Sequence, residues 1–251
     1  MKVVSLSGAM VLLERFPALA GVDFEVESGE VVLVRGANGA GKTTLLHLCA
    51  GLLRLTQGHG DVLGCDLATE RAAVRRRVGL LGHDTALYGE LTAVENLRLW
   101  ARASRVGAAD VAGVLESLEL PAGRRDIPIA KLSAGQRRRV GLATIVLRRP
   151  ELWLLDEPHA GLDSSGRRIV DGIITAAAGA GAAVVLASHE RRLSDDLAHR
   201  SVTLAGGCFA ADAPDVADPA ATADPAAFAV PATADPADPA APADVAGEPK
   251  L

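Results

Sequence analysis

Along residues 1–205 the apolar and polar positions follow two rhythms. Val22-Asp23-Phe24-Glu25-Val26 alternates strictly, the period-two pattern of a strand with one buried face. After the turn Ser28-Gly29-Glu30, Val31 to Val34 is an unbroken apolar run, as expected of a central strand covered on both faces. Leu152 to Leu155 and Val184 to Ala187 repeat that pattern, and each run stops at polar residues. Lys42 to Ala50 reads instead as a helix. Strands alternating with helices predict an α/β fold on a mostly parallel sheet, with an antiparallel β part at the N-terminus. Between about residues 82 and 149 the pattern is helical throughout, so a helical subdomain, about 83–149, is expected as an insertion into this core.

Composition changes the picture near Gly206-Gly207. Beyond it Ala, Asp and Pro dominate, Ala-Asp-Pro recurs at 217–219, 223–225 and 234–236, and eight of the 13 prolines fall here. Such a segment buries too little apolar surface to offset the entropy of ordering it. The expected organisation is therefore one folded domain, 1–205, and a disordered acidic tail, 206–251. The tail holds eight acidic residues against one lysine, so the net charge of -5 belongs to it and the domain before it is slightly basic. Within that domain, Arg75-Arg76-Arg77 and Arg137-Arg138-Arg139 are read as solvated helix faces rather than nucleic-acid contacts.

With 49% apolar but only 3% aromatic residues, the core must be built from Ala, Val and Leu. Cys49, Cys65 and Cys208 are an odd number without metal-ligand spacing and are expected as reduced thiols. Met1 to Phe16 lacks the pattern of a secretory leader, and no apolar run approaches the roughly 20 residues needed to span a bilayer. A cytoplasmic chain is expected.

Chemistry enters after the strand Val31–Val34. Gly36-Ala37-Asn38-Gly39-Ala40-Gly41-Lys42-Thr43, followed by Thr44, fits the phosphate-loop pattern G-x-x-x-x-G-K-[ST], with a strand before it and a helix after. The glycines let successive backbone N–H groups turn inward toward phosphate oxygens, and the helix beginning near Lys42 adds its positive end. Lys42 is expected to reach the β- and γ-phosphates of ATP and Thr43 to ligate Mg²⁺. A P-loop NTPase core follows from this.

Leu152-Trp153-Leu154-Leu155-Asp156-Glu157 is an apolar strand ending in two acids. Ligands of open α/β sheets sit at the carboxyl ends of strands. Asp156 is the expected metal contact, and Glu157 the group that polarises the attacking water.

Between the two phosphate motifs, Leu132-Ser133-Ala134-Gly135-Gln136 resembles the signature of ATP-binding-cassette (ABC) proteins, with Ala for the usual first Gly. Ser133 suits an N-cap, and the small residues after it expose backbone N–H groups. The resemblance implies that Ser133, Gly135 and Gln136 contact the nucleotide held by a second ATP-binding subunit, a homodimer partner or paralogue. Ala160-Gly161-Leu162-Asp163 resembles the D-loop lining that interface, and His189, after Val184–Ala187 and Ser188, resembles the switch histidine at the γ-phosphate. Catalysis by Glu157, His189 and Lys42 is thus implied.

Two positions depart from the family pattern. His83 stands where Gln usually senses Mg²⁺, which makes it the third expected metal contact after Thr43 and Asp156. The aromatic that usually stacks on adenine aligns with Leu13, and Phe16, the nearest aromatic, is the candidate for that stacking. Gly82-His83, Leu91-Thr92-Ala93-Val94-Glu95-Asn96-Leu97 and Leu132 to Arg138 together are similar to the haem-exporter ATPase of cytochrome c maturation, although drug- and polysaccharide-export ATPases share much of this sequence.

The resemblance implies the ATP-hydrolysing subunit of a transporter, peripheral at the cytoplasmic face of the membrane, with transmembrane permease subunits as partners and no nucleic acid. Soluble ABC ATPases acting on DNA or ribosomes are the reading from another class. They carry long coiled-coil or zinc insertions, or a second cassette, and this chain has none of these. A nucleotide sensor without turnover is a third reading, opposed by Lys42, Asp156, Glu157 and His189 all being in place.

Overall fold

The computed structural model describes residues 1–104, 109–189 and 197–210. The tail read as disordered lies, from residue 211 on, outside the described residues.

Two sheets stack on opposite sides of one helix. The strands β1 (Lys2–Leu13), β2 (Phe16–Glu27), β4 (Gln57–Val62) and β5 (Cys65–Asp66) form an antiparallel sheet in the order β2-β1-β4-β5. The other sheet runs β10-β9-β3-β8-β7-β6, from β3 (Val31–Arg35), β6 (Val78–Leu81), β7 (Leu152–Asp156), β8 (Ala183–Ser188), β9 (Arg200–Ala205) and β10 (Cys208–Phe209). Its strands are parallel except for β10, which returns antiparallel beside β9. All five residues of β7 and all six of β8 are buried, as their unbroken apolar runs require.

Alternate residues of β3 serve two cores. Val32 and Val34 pack toward α1 (Lys42–Cys49) and the antiparallel sheet, with Leu45, Leu46 and Leu48. Val31 and Leu33 face the other way, against Val170 and Ile174 of α7 (Ser164–Gly179) and Leu142 and Ile145 of α6 (Ala134–Arg148). A third apolar cluster joins α6 to α3 (Ala93–Ser104) and α4 (Ala109–Ser117) through Leu97, Val111, Leu115 and Val140. The described residues also include the short helices α2 (Arg71–Arg77) and α5 (Ala122–Arg125). Among the described residues no helix is long and apolar enough to cross a membrane.

The fold corrects two expectations. The sheet continues past Gly206: the Gly206-Gly207 pair, both at positive φ, is the turn of the β9–β10 hairpin rather than the start of the acidic tail. Gly207 N–H donates to Ala40 O (3.1 Å), and its carbonyl accepts from Ala20 N–H (2.9 Å), so the hairpin braces the region around the phosphate loop.

The arginine runs are not simple solvated faces. Arg75 Nη1 donates to Gly51 O, Arg77 grips both oxygens of Glu151, and Arg139 Nη1 donates to Leu118 O. Arg138 is only 6% exposed. Arg75 and Arg139 thus meet carbonyls just past the ends of α1 and α4, which helix geometry leaves unsatisfied, and Arg77 ties α2 to the residue before β7.

Candidate functional site

The carboxyl ends of β3, β6, β7 and β8 lie side by side, since Arg35 pairs with Ser188, Asp156 with Ala187 and Leu81 with Leu155. Whatever follows each strand therefore converges on one edge, where open α/β sheets hold their ligands. A cleft of about 460 Å³ opens there, lined by residues 38–44, His83, Asp156 and Glu157, with Leu13 and Ala18 on the far wall.

The loop from Gly36 to Gly41 has a shape only glycine permits at its two ends. A Cβ on Gly36 would lie 2.3 Å from Leu204 O, and one on Gly41 2.5 Å from Ala18 O, the latter at φ 105°. Gly41 is the N-cap of α1 and supplies no side-chain cap, which leaves the first N–H groups of that helix pointing at the cleft. Lys42, 7% exposed, sits inside the loop, and its Nζ donates to Gly36 O (2.7 Å) and Ala37 O (3.0 Å). An ammonium ringed by backbone carbonyls and N–H groups is a fixed positive pole for an anion.

Thr43 and Asp156, 113 residues apart, meet here: Thr43 Oγ1 donates to Asp156 Oδ2 at 2.6 Å. Both are hard oxygen donors of the kind Mg²⁺ takes when phosphate oxygens and water complete its octahedron. The pair thus fits that cation. Among the described residues no group of three or more His, Cys, Asp or Glu could hold a metal by itself.

Glu157 follows at φ 49°, a left-handed conformation that costs a non-glycine residue about 1 kcal/mol. Its backbone N–H bonds Ala187 O (2.9 Å). Its Oε1 accepts from His189 N–H (2.9 Å) and lies 2.6 Å from His189 Nδ1, while Ser188 Oγ donates to Oε2 (3.1 Å). The strained residue is held by the end of β8, which aims its carboxylate along the cleft edge. His189 is exposed and reaches the site through this carboxylate rather than as part of the cleft lining.

The remaining expected residues lie elsewhere. Ser133 caps α6: its Oγ accepts from Gln136 N–H (3.2 Å), and Gln136 Oε1 accepts from Ser133 N–H (3.1 Å), a reciprocal capping box. Gly135 is buried so close to Gly161 that a Cβ would fall 2.5 Å from its carbonyl oxygen. Asp163 caps α7 by accepting from Gly166 N–H (2.7 Å). The signature and D-loop segments thus pack on each other as a second cluster, and none of their residues lines the cleft.

Phe16 is also absent from the lining. It opens β2 opposite Leu13, 76% exposed, one step farther out than Ala18. The hairpin turn at Glu14-Arg15 brings Leu13, not Phe16, to the wall.

Two features escaped the sequence reading. Buried His159 makes a 2.7 Å contact from Nε2 to Asp171 Oδ1 of α7, fastening the segment after Glu157. Arg138 reaches from α6 to Gly82 O (2.7 Å) and His83 O (3.4 Å). Both depend on how helices pack, and an i, i+12 or i, i+56 pairing carries no local signal.

The family model for the ABC transporter matches residues 19–160. The cytochrome c biogenesis ATP-binding export protein CcmA of Vibrio cholerae is 37% identical over 185 residues, covering 73% of this chain and 89% of that one. CcmA of Bordetella bronchiseptica is 42% identical over 170 residues, 67% and 75% of the two chains. The daunorubicin resistance ATP-binding protein DrrA3 of Streptomyces coeruleorubidus is 40% identical over 204 residues, 79% and 64%. Among solved structures, the ATP-binding subunit of an ABC transporter superposes with TM-score 0.76 at 27% identity, over 83% and 88% of the two chains. A dimeric ATP-binding cassette bound to ADP and Pi superposes with TM-score 0.75 at 24%, over 82% and 96%. With the phosphate loop, the acid pair and the capped signature helix in one fold, this chain belongs to the ABC transporter family as its ATP-hydrolysing subunit.

Proposed function

We propose that this subunit drives an exporter, with haem for cytochrome c biogenesis as the cargo, from the cytoplasmic face of the membrane through transmembrane permease subunits. The curated relatives named for cytochrome c biogenesis support the cargo, since this chain spans most of their length. The Gly82-His83 pair and the Ala134 variant of the signature support the same reading. The DrrA3 likeness, 40% over 204 residues, favours drug efflux as the second reading.

Within the site, ATP lies along residues 36–44 with Lys42 on the β- and γ-phosphates, and Phe16 stacks on adenine from its exposed place beside Leu13. Mg²⁺, held through Thr43 and Asp156 and neighboured by His83, neutralises charge on the phosphate oxygens. Glu157 accepts the proton of the attacking water, and His189 orients that carboxylate while facing the γ-phosphate. Ser133, Gly135, Gln136 and Asp163 act on the nucleotide of a second ATP-binding subunit. The observation that carries this reading is their placement: all four stand outside the cleft of their own chain, at the starts of α6 and α7, whose caps are already built.

The experiment is co-purification of the tagged full chain from detergent-solubilised membranes of the host, followed by assay of the complex with haemin. A polytopic membrane protein in the eluate and ATP turnover stimulated by haemin are expected. Stimulation by an anthracycline but not by haemin would move the assignment to drug efflux. Isolation without any polytopic partner would contradict the transporter reading.

A further inference from the structure

Arg138 has a combination of properties that the roles above leave unexplained. It lies in the second turn of α6, five residues after the Ser133 cap, and is 6% exposed. Nη1 donates to Gly82 O (2.7 Å) and His83 O (3.4 Å), the backbone leading out of β6 to the cleft wall. Its Nε and Nη2 are buried with no hydrogen-bond partner among the described residues. A packing residue has no reason to carry two orphan donors, each a desolvation cost that an apolar side chain of the same length avoids.

The charge, however, has a counterpart. Burial disfavours the cation, and the carboxylates of Asp156 and Glu157 act in the opposite sense, favouring it. A guanidinium keeps its proton in either case. One buried cation therefore sits between the helix whose start is the signature and the residue that stands at the cleft beside the acid pair.

We propose that Arg138 is a positioning residue for ATP turnover: by gripping the Gly82-His83 backbone from α6, it makes the signature helix and the His83 wall of the cleft move as one body. Closure of a partner nucleotide onto Ser133 then reaches His83 in the same chain through a single side chain. The inference rests on the cleft being the site of turnover. Lys42→Ala tests that separately, since it must abolish hydrolysis whatever Arg138 does.

The test is steady-state ATP hydrolysis by the purified full chain with Mg²⁺, comparing R138M, R138K, H83A and the double variant H83A/R138M. R138M is expected to lose about tenfold in kcat with KM for ATP within about twofold of wild type, the pattern of a lost positioning contact. R138K, which keeps the charge and a donor, is expected to recover part of the loss. The double variant should be no slower than the slower single variant, because both act on one link. Wild-type kcat in R138M would overturn the proposal, as would losses that multiply in the double variant or an impaired R138M beside an unaffected H83A. Should R138M melt early, R138K and its double with H83A carry the same comparison.

Discussion

At the scale of single residues, the phosphate loop is legible because its chemistry is written locally. Gly36, Gly41, Lys42 and Thr43 need only their own spacing and a strand in front to define the cradle. The structure adds why the glycines cannot change: Gly41 combines φ 105° with a backbone oxygen 2.5 Å from where a Cβ would be. Gly41→Ala is therefore expected to weaken binding of trinitrophenyl-ATP by about tenfold or more, measured by fluorescence titration, since strain of order 1–3 kcal/mol falls directly on the cradle.

Other residues were legible by type but not by partner. Asp156 and Glu157 stand at the end of β7 as expected, yet the bond of Glu157 to His189 depends on β8 lying next to β7. His159 and Arg138 were illegible because their partners, Asp171 and the Gly82-His83 backbone, are brought close only by helix packing. Phe16 was legible as the aromatic nearest the phosphate loop, but only the hairpin register shows it paired with Leu13, beside the wall that Leu13 and Ala18 line.

At the scale of elements, unbroken apolar runs located β3, β7 and β8 within a residue of their ends, because strands buried on both faces are apolar along their length and confine polar residues such as Asp156 and Ser188 to their carboxyl ends. β10 was missed since two residues carry no periodicity and the Gly-Gly before them reads equally as linker or turn.

The junction of α2 with β7 depends on charge. The Arg77 guanidinium on both oxygens holds the Glu151 carboxyl below its usual range. Because the folded-state pKa is the lower one, this stabilisation is complete above the unfolded value and is lost as pH falls through the folded one. Glu151 is more than half exposed, so screening keeps the effect small. Glu151→Gln is expected to lower the melting temperature by roughly 1–3 °C near pH 7. That deficit should shrink below about pH 4, as followed by circular dichroism. A deficit independent of pH would mean that packing, not charge, is what the residue supplies.

At the scale of the whole molecule, one chain holds two half-sites. The cleft at the sheet edge gathers the glycine-lysine loop, the Thr43–Asp156 pair and Glu157, while the capped start of α6 and the 160–163 segment pack together away from it. Sequence order announced both halves but not their separation, which follows only once α6 and α7 are placed on the far face of the sheet. In the proposed function the two halves meet between subunits, with ATP as the adhesive and hydrolysis as the release. A nucleotide that binds only the closed pair shifts the equilibrium toward it by that differential affinity. Sedimentation velocity of the purified Glu157→Gln variant with and without MgATP reads this directly. The account predicts monomer without nucleotide and dimer with it, the dimer vanishing when Lys42→Ala is added. A monomer that binds MgATP, or a Glu157→Gln variant that turns over ATP at the wild-type rate, would contradict it.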